Sequence, residues 1–197
     1  MISFVLAVIL LIITPGPGVL SVAGVGATFG VLAGRRYIFG LFLGNNLVSL
    51  MVITGLAAVV LGYPLARFFL MVLSAGFLLY LAYKIAFKGV DLALKEKTVA
   101  PGIVAGVLLQ VVNPKAYGVN AAVYTGFVIY TNNFFFEAAV KFILYNIIWI
   151  ILHIFWLFLG LSIRKLQFKE AGKKLVNIFM ALSLLLVVGL MILSELF

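Results

Sequence analysis

The chain contains no cysteine. That removes disulfides, thiolate metal sites and dithiol electron transfer, and it leaves no redox compartment to read. Acidic residues are also scarce: five Asp and Glu against 14 Lys and Arg, with a single histidine. Asp91, Glu96, Glu137, Glu170 and Glu195 all fall in connecting segments or near the ends of apolar runs. A site for a hard divalent cation needs several oxygen ligands, carboxylates among them. A hydrolase acting in the bilayer needs a nucleophile with a base, or a metal motif. Neither pattern occurs, so no metal, no cofactor and no catalytic residue is expected, and the chain does not read as an enzyme.

Charged residues make up 10% of the chain and hydrophobic ones 66%, where a soluble domain carries about 25% charge. Apolar runs recur at or beyond the ~18 residues that a helix needs to cross the hydrocarbon core. They are continuous rather than alternating, which excludes a β-barrel. The predicted class is an all-α membrane protein, its spans facing the lipid bilayer. The net charge of +9 does not point to nucleic acid, because the basic residues sit in short segments between apolar spans, where they set orientation. Met1-Ile2-Ser3-Phe4 shows no positive n-region, so the N-terminus reads as the start of a membrane helix and not as a removed signal peptide.

Six spans are predicted: Ile2 to Phe29, Tyr37 to Gly62, Pro64 to Phe87, Gly102 to Thr131, Phe136 to Ile163, and Leu175 to about Leu193. A polar connector, Lys88 to Ala100, follows the third, and a basic loop, Arg164 to Lys174, follows the fifth. Arg35, Arg36, Lys84, Lys88, Lys95, Lys97, Arg164, Lys165, Lys169, Lys173 and Lys174 lie on one side; the other holds Arg67 and Lys141. The positive-inside rule makes the first side cytoplasmic, so both termini are expected outside.

Two proline breaks carry most of the functional information. Thr14-Pro15-Gly16-Pro17-Gly18 interrupts the first span and Asn113-Pro114-Lys115 the fourth, half a chain apart. Each half is then a broken helix followed by two unbroken ones. Three spans repeated in tandem insert the second time with opposite orientation, which gives two inverted three-helix repeats, about 1–88 and about 101–197, joined by a connector of about 89–100 in one transmembrane domain. Asn45 and Asn46 in span two and Asn146 in span five sit at similar depths. Gly26, Gly30 and Gly34, then Gly40 and Gly44, then Gly102 and Gly106, are spaced by four. That spacing puts small residues on one face for close helix packing.

Proline removes a backbone hydrogen bond and clashes with the preceding turn, so half-helices should end near Ile13 and Val112 and restart near Gly18 and Lys115. The restarting ends present free N–H groups near Gly18 to Leu20 and Ala116 to Gly118, which suit an anion. The preceding ends present free carbonyls near Ile12 to Thr14 and Val111 to Val112, which suit an ammonium group or a cation. A zwitterionic amino acid matches both, whereas two plain kinks would bind nothing. Lys115 is the one basic residue read as deep in a span, where charge is costly and marks function by default. Asn45, Asn46, Gln110, Asn120 and Asn146 are either pathway lining or helix-to-helix glue. His153 is either a proton relay, with Lys115, or a structural histidine.

Thr14-Pro15-Gly16-Pro17 with its spaced glycines, then Gly106 seven residues before Asn113-Pro114-Lys115, resembles the LysE/RhtB family of amino-acid exporters. The run from Phe77 to Lys84 is similar to that family's third span. The resemblance covers essentially the whole chain. It implies export of amino acids or close derivatives across the inner membrane, driven by the proton-motive force, with Pro15, Gly16, Pro17, Asn113, Pro114 and Lys115 as the functional core, and it is compatible with a homodimer. Exporters of another solute, such as a metal ion or an organic anion, and a membrane scaffold that transports nothing are the competing readings.

Overall fold

The computed structural model describes residues 1–56, 99–130 and 133–165 continuously, and scattered helical positions between 65 and 86 and between 174 and 189. The connector and the basic loop fall largely outside the described residues, and the third and sixth spans fall partly outside them. Among the described residues there are helices and no strands.

Among the described residues six helices have continuous bounds: α1 (Ile2–Ile13), α2 (Pro17–Phe29), α3 (Val31–Ile53), α4 (Ile103–Val112), α5 (Pro114–Thr125) and α6 (Phe134–Lys165). The prolines account for four of their ends. Pro17 opens α2 and Pro114 opens α5, each at the first helical turn, where a missing N–H costs nothing and the fixed φ is already helical. α1 and α2 meet at 55° across the first break. Gly30 (φ 84°) separates α2 from α3, a left-handed conformation open to glycine.

Three span ends differ from expectation. Arg35 and Arg36, read as a loop, are exposed residues in the first turns of α3, because the turn at Gly30 needs no polar linker. α3 ends at Ile53, short of Gly62, since Gly55 adopts φ 78°; residues 57–62 lie outside the described set. α5 ends at Thr125 rather than Thr131.

α3 and the Phe134–Ile163 stretch of α6 are each long and apolar enough to cross a membrane, and α1 with α2 qualifies as a broken span. α4 is apolar but only 10 residues long. α6 turns Ile143, Ile147, Ile151, Phe155 and Phe158 outward, as a helix facing acyl chains does. α3 packs against α4 and α5, and α6 against α2 and α1. Each broken helix is thus seated on the long helix of the other half.

Glycines permit these crossings. A Cβ on Gly40 would fall onto the Ile103 carbonyl oxygen; one on Gly44 would lie 2.7 Å from the Val107 oxygen, and one on Gly106 2.5 Å from the Tyr37 oxygen. Gly26 and Gly34 make room for Leu157. Gly30 and Gly102, spaced like the others, serve elsewhere: Gly30 makes the α2–α3 turn, and a Cβ on Gly102 would meet nothing within 4 Å.

Candidate functional site

The two breaks come together. Lys115, in the first turn of α5, extends its ammonium to the end of α1, donating to the Thr14 carbonyl at 2.6 Å and reaching the Pro15 carbonyl at 3.5 Å. Gly16 leaves the space this requires: a Cβ there would stand 2.7 Å from Lys115 Cδ and 2.9 Å from Nζ. Thr14 also donates its hydroxyl to Leu10. Pro15 is exposed at the break, while Gly16 and Pro17 are buried.

Several helix-end groups that the sequence leaves free find partners inside the chain. Asn113 caps α5 by accepting the Lys115 backbone N–H on Oδ1 at 3.1 Å. Tyr117 donates its hydroxyl to the Val111 carbonyl at 2.9 Å. The Thr14 carbonyl is held by Lys115. The first turn of α2 remains, where Gly18 and Val19 have no intrahelical acceptor for their N–H groups.

Beside this junction is a cavity that opens to the surface. Gly16 lines it from the first break, Gly18 and Val19 from α2, Gln110 from α4, Asn113 and Lys115 from the second break, and Tyr145, Trp149 and His153 from α6. Lys115 is the one lysine, arginine or carboxylate among these lining residues. His153 is buried; its Nδ1 lies 2.8 Å from the Trp149 carbonyl, and its ring stacks on the Trp149 ring with centroids 3.4 Å apart.

Asn45, Asn46, Asn120 and Asn146 are not among the residues lining this cavity and bond one another or their neighbours. Asn45 Oδ1 accepts from Tyr145 OH at 3.0 Å, Gln110 Nε2 at 3.2 Å and Asn120 Nδ2 at 3.4 Å. Ser49 donates to Asn120 Oδ1 at 2.5 Å. The result is a buried polar belt joining α3, α4, α5 and α6. Separately, Asn146 Nδ2 donates to Asn46 Oδ1 at 3.0 Å, and each of these two side chains also donates to the carbonyl one turn back, Phe42 or Phe142.

Lys141, counted from sequence only as a charge on one side, is buried as well. It lies about two turns into α6 and is 3% exposed. Its ammonium pairs with Glu137 at 3.0 Å and donates to the carbonyls of Tyr124, at 3.1 Å, and Phe127, where α5 ends. A cation at a helix C-terminus offsets the partial negative charge there. Sequence reasoning also missed Tyr145, Trp149 and Ser49. The signal was present: Glu137, Lys141, Tyr145, Trp149 and His153 recur every fourth residue, a stripe along one face of α6 that runs from the Lys141 clamp to the cavity.

Broken helices that meet beside a largely apolar pocket carrying a few polar groups, held between long apolar helices, match the pattern of a membrane transporter's binding site. The profile of the LysE type translocator family matches residues 9–195, and the chain belongs to that family. It is accordingly a multi-pass membrane protein of a family that translocates small solutes. Among individual proteins, neither a curated relative nor a solved structure matches significantly.

Proposed function

We propose that this protein exports amino acids or small amino-acid derivatives across the inner membrane, by alternating access between two inverted repeats and driven by the proton-motive force. The observation that carries the reading is the contact of Lys115 with Thr14, which joins the two proline breaks at the cavity. A substrate carboxylate has two sources of attraction there, the Lys115 ammonium and the first turn of α2. It competes with the Thr14 carbonyl for the same ammonium. Substrate binding thereby loosens the link between the halves, which is the coupling that alternating access requires. Lys115 and His153 are the candidate proton carriers.

The repeat reading draws support from pairs of residues about one hundred positions apart. Asn45 bonds Tyr145 and Asn46 bonds Asn146, both separated by 100, and Thr14 bonds Lys115, separated by 101. Under a two-fold relation, residues on the axis touch their own counterparts. Asn46 and Asn146 even repeat the same local bond, to Phe42 and Phe142. Asn46→Ala and Asn146→Ala are each expected to cost about 1 kcal/mol, with the double variant costing less than their sum. Unfolding of the purified protein in detergent measures this, and full additivity would mean that the pair is not coupled. With the repeats goes the topology: the side bearing Arg35 and Arg36 cytoplasmic and both termini outside.

The test of function is efflux of a panel of amino acids from dipeptide-loaded cells expressing the chain. One or a few amino acids should leave faster than from cells lacking it. If none does while membranes hold the folded protein, the amino-acid assignment fails. Organic anions, which Lys115 would also attract, are then the next panel.

A further inference from the structure

Two hydrogen-bond acceptors converge on one spot in the cavity wall. Gln110 is 5% exposed and uses its Nε2 on Asn45, which leaves its buried Oε1 without a partner. A buried acceptor left unpaired is costly. Gln110 is one of the cavity-lining residues, and its Oε1 sits 3.5 Å from the position that a Cβ on Gly18 would take. The second acceptor is His153. A carbonyl oxygen accepts and never donates, so the contact between His153 Nδ1 and the Trp149 oxygen puts the ring proton on Nδ1. In the neutral ring, Nε2 is then an acceptor. It lies 3.6 Å from the same point above Gly18. No side chain of α2 intervenes, because residue 18 is glycine.

We infer that Gln110 Oε1 and His153 Nε2, both packed over the bare face of Gly18 beside the cavity, form the subsite for the substrate's ammonium group. This rests on the exporter reading and deepens it: it says which end of the substrate these residues take. Two convergent acceptors call for a donor with at least two N–H groups, which a primary ammonium supplies and a carboxylate does not. The positive charge of Lys115 on the same cavity opposes a bare cation and favours an ammonium that brings its own carboxylate. The two ends of a zwitterion then have separate stations, the carboxylate at Lys115 and the first turn of α2, the ammonium at Gln110 and His153. What the subsite adds is a requirement on the cargo's amine, which must be unsubstituted.

The chain has one histidine, so 15N-histidine labelling of the full-length protein in nanodiscs reports on His153 alone. The probes are alanine, propionate and ethylammonium, then leucine, 4-methylpentanoate and isopentylammonium, each set removing one charged group at a time. Nε2 should be unprotonated without ligand and should shift with the amine-bearing probes but not with the acids. Gly18→Ala places a methyl at ordinary contact distance from both acceptors and so spares the fold while covering them. It should weaken the amine-bearing probes at least tenfold and the acids several-fold less, because alanine keeps the residue-18 N–H that belongs to the carboxylate station. Gly76→Ala, whose Cβ meets nothing within 4 Å, should change neither.

A proton on Nε2, a resonance indifferent to amines, or equal weakening of acids and amines by Gly18→Ala overturns the subsite. The two readings can fail separately. An amino acid exported by a protein whose His153 ignores amines removes the subsite alone. Amines that move His153 in a protein exporting no amino acid leave the subsite standing and remove the exporter reading.

Discussion

Lys115→Met is expected to abolish transport while leaving the protein inserted and folded. Methionine matches the length of the lysine stem and lacks its charge. A hydrogen bond to a charged group is worth about 1.5–3 kcal/mol, roughly a 10- to 100-fold change in rate for a link made in one state only. The substrate carboxylate loses the same partner, so flux should fall by about 100-fold or more, to the level of cells lacking the protein. Gly16→Ala gives the same result by another route. Its Cβ would collide with the end of the Lys115 side chain, which is flexible and can swing aside. The fold survives, and the ammonium leaves the Thr14 carbonyl. Efflux assays on the two variants, with detergent extraction and size-exclusion profiles as controls for folding, decide the matter. Normal flux in both would leave Lys115 a structural pin, and loss of folded protein in both would favour the scaffold reading.

The breaks were legible because proline acts locally. It has no N–H and it clashes with the preceding turn, so α1 ends at Ile13, and α5 starts at Pro114, with no information needed from the rest of the fold. The start of α3 was not legible. A single left-handed glycine at residue 30 does the work of a loop, and composition gives no sign of which of the eight glycines between residues 16 and 44 will turn.

Partnership was the harder part. Asn45 receives bonds from residues 65, 75 and 100 positions away, and no spacing rule identifies them. The partners of Lys141 are carbonyls at the end of a helix whose end was itself misplaced by several residues. Sequence could therefore count it only as a positive charge on one side. The α6 stripe was readable at its period of four, yet Tyr145 and Trp149 pass for membrane-interface aromatics unless the helix face is traced. Gln110 was visible as a polar residue at depth; that its oxygen lacks a partner is a fact of packing.

Gly40→Ala and Gly160→Ala are each expected to destabilise the protein by about 3 kcal/mol and to cut the yield of folded protein severalfold. In an exposed helix the same change stabilises by about 0.5–1 kcal/mol, because alanine has less backbone freedom to lose. The sign reverses here because of what the new methyl would meet. At Gly40 it falls on the Ile103 carbonyl and at Gly160 on the Ala23 carbonyl, backbone atoms of α4 and α2 that have no rotamer to change. Relief requires the helices to separate, and the separation forfeits the close contacts on which association within a bilayer depends. The two crossings seat α4 on α3 and α2 on α6, so each is a joint between the two halves of the chain. Thermal unfolding of the purified variants measures the cost, with Gly76→Ala as the exposed-glycine reference. The crossings also predict how the changes combine. Gly40→Ala with Gly106→Ala strikes one joint twice, and once α3 and α4 have moved apart the second methyl adds little. Gly40→Ala with Gly160→Ala strikes two joints and should cost nearly the full sum. Additivity in the first pair, or stability equal to wild type in either single variant, would mean that the helices do not cross as closely as these glycines allow.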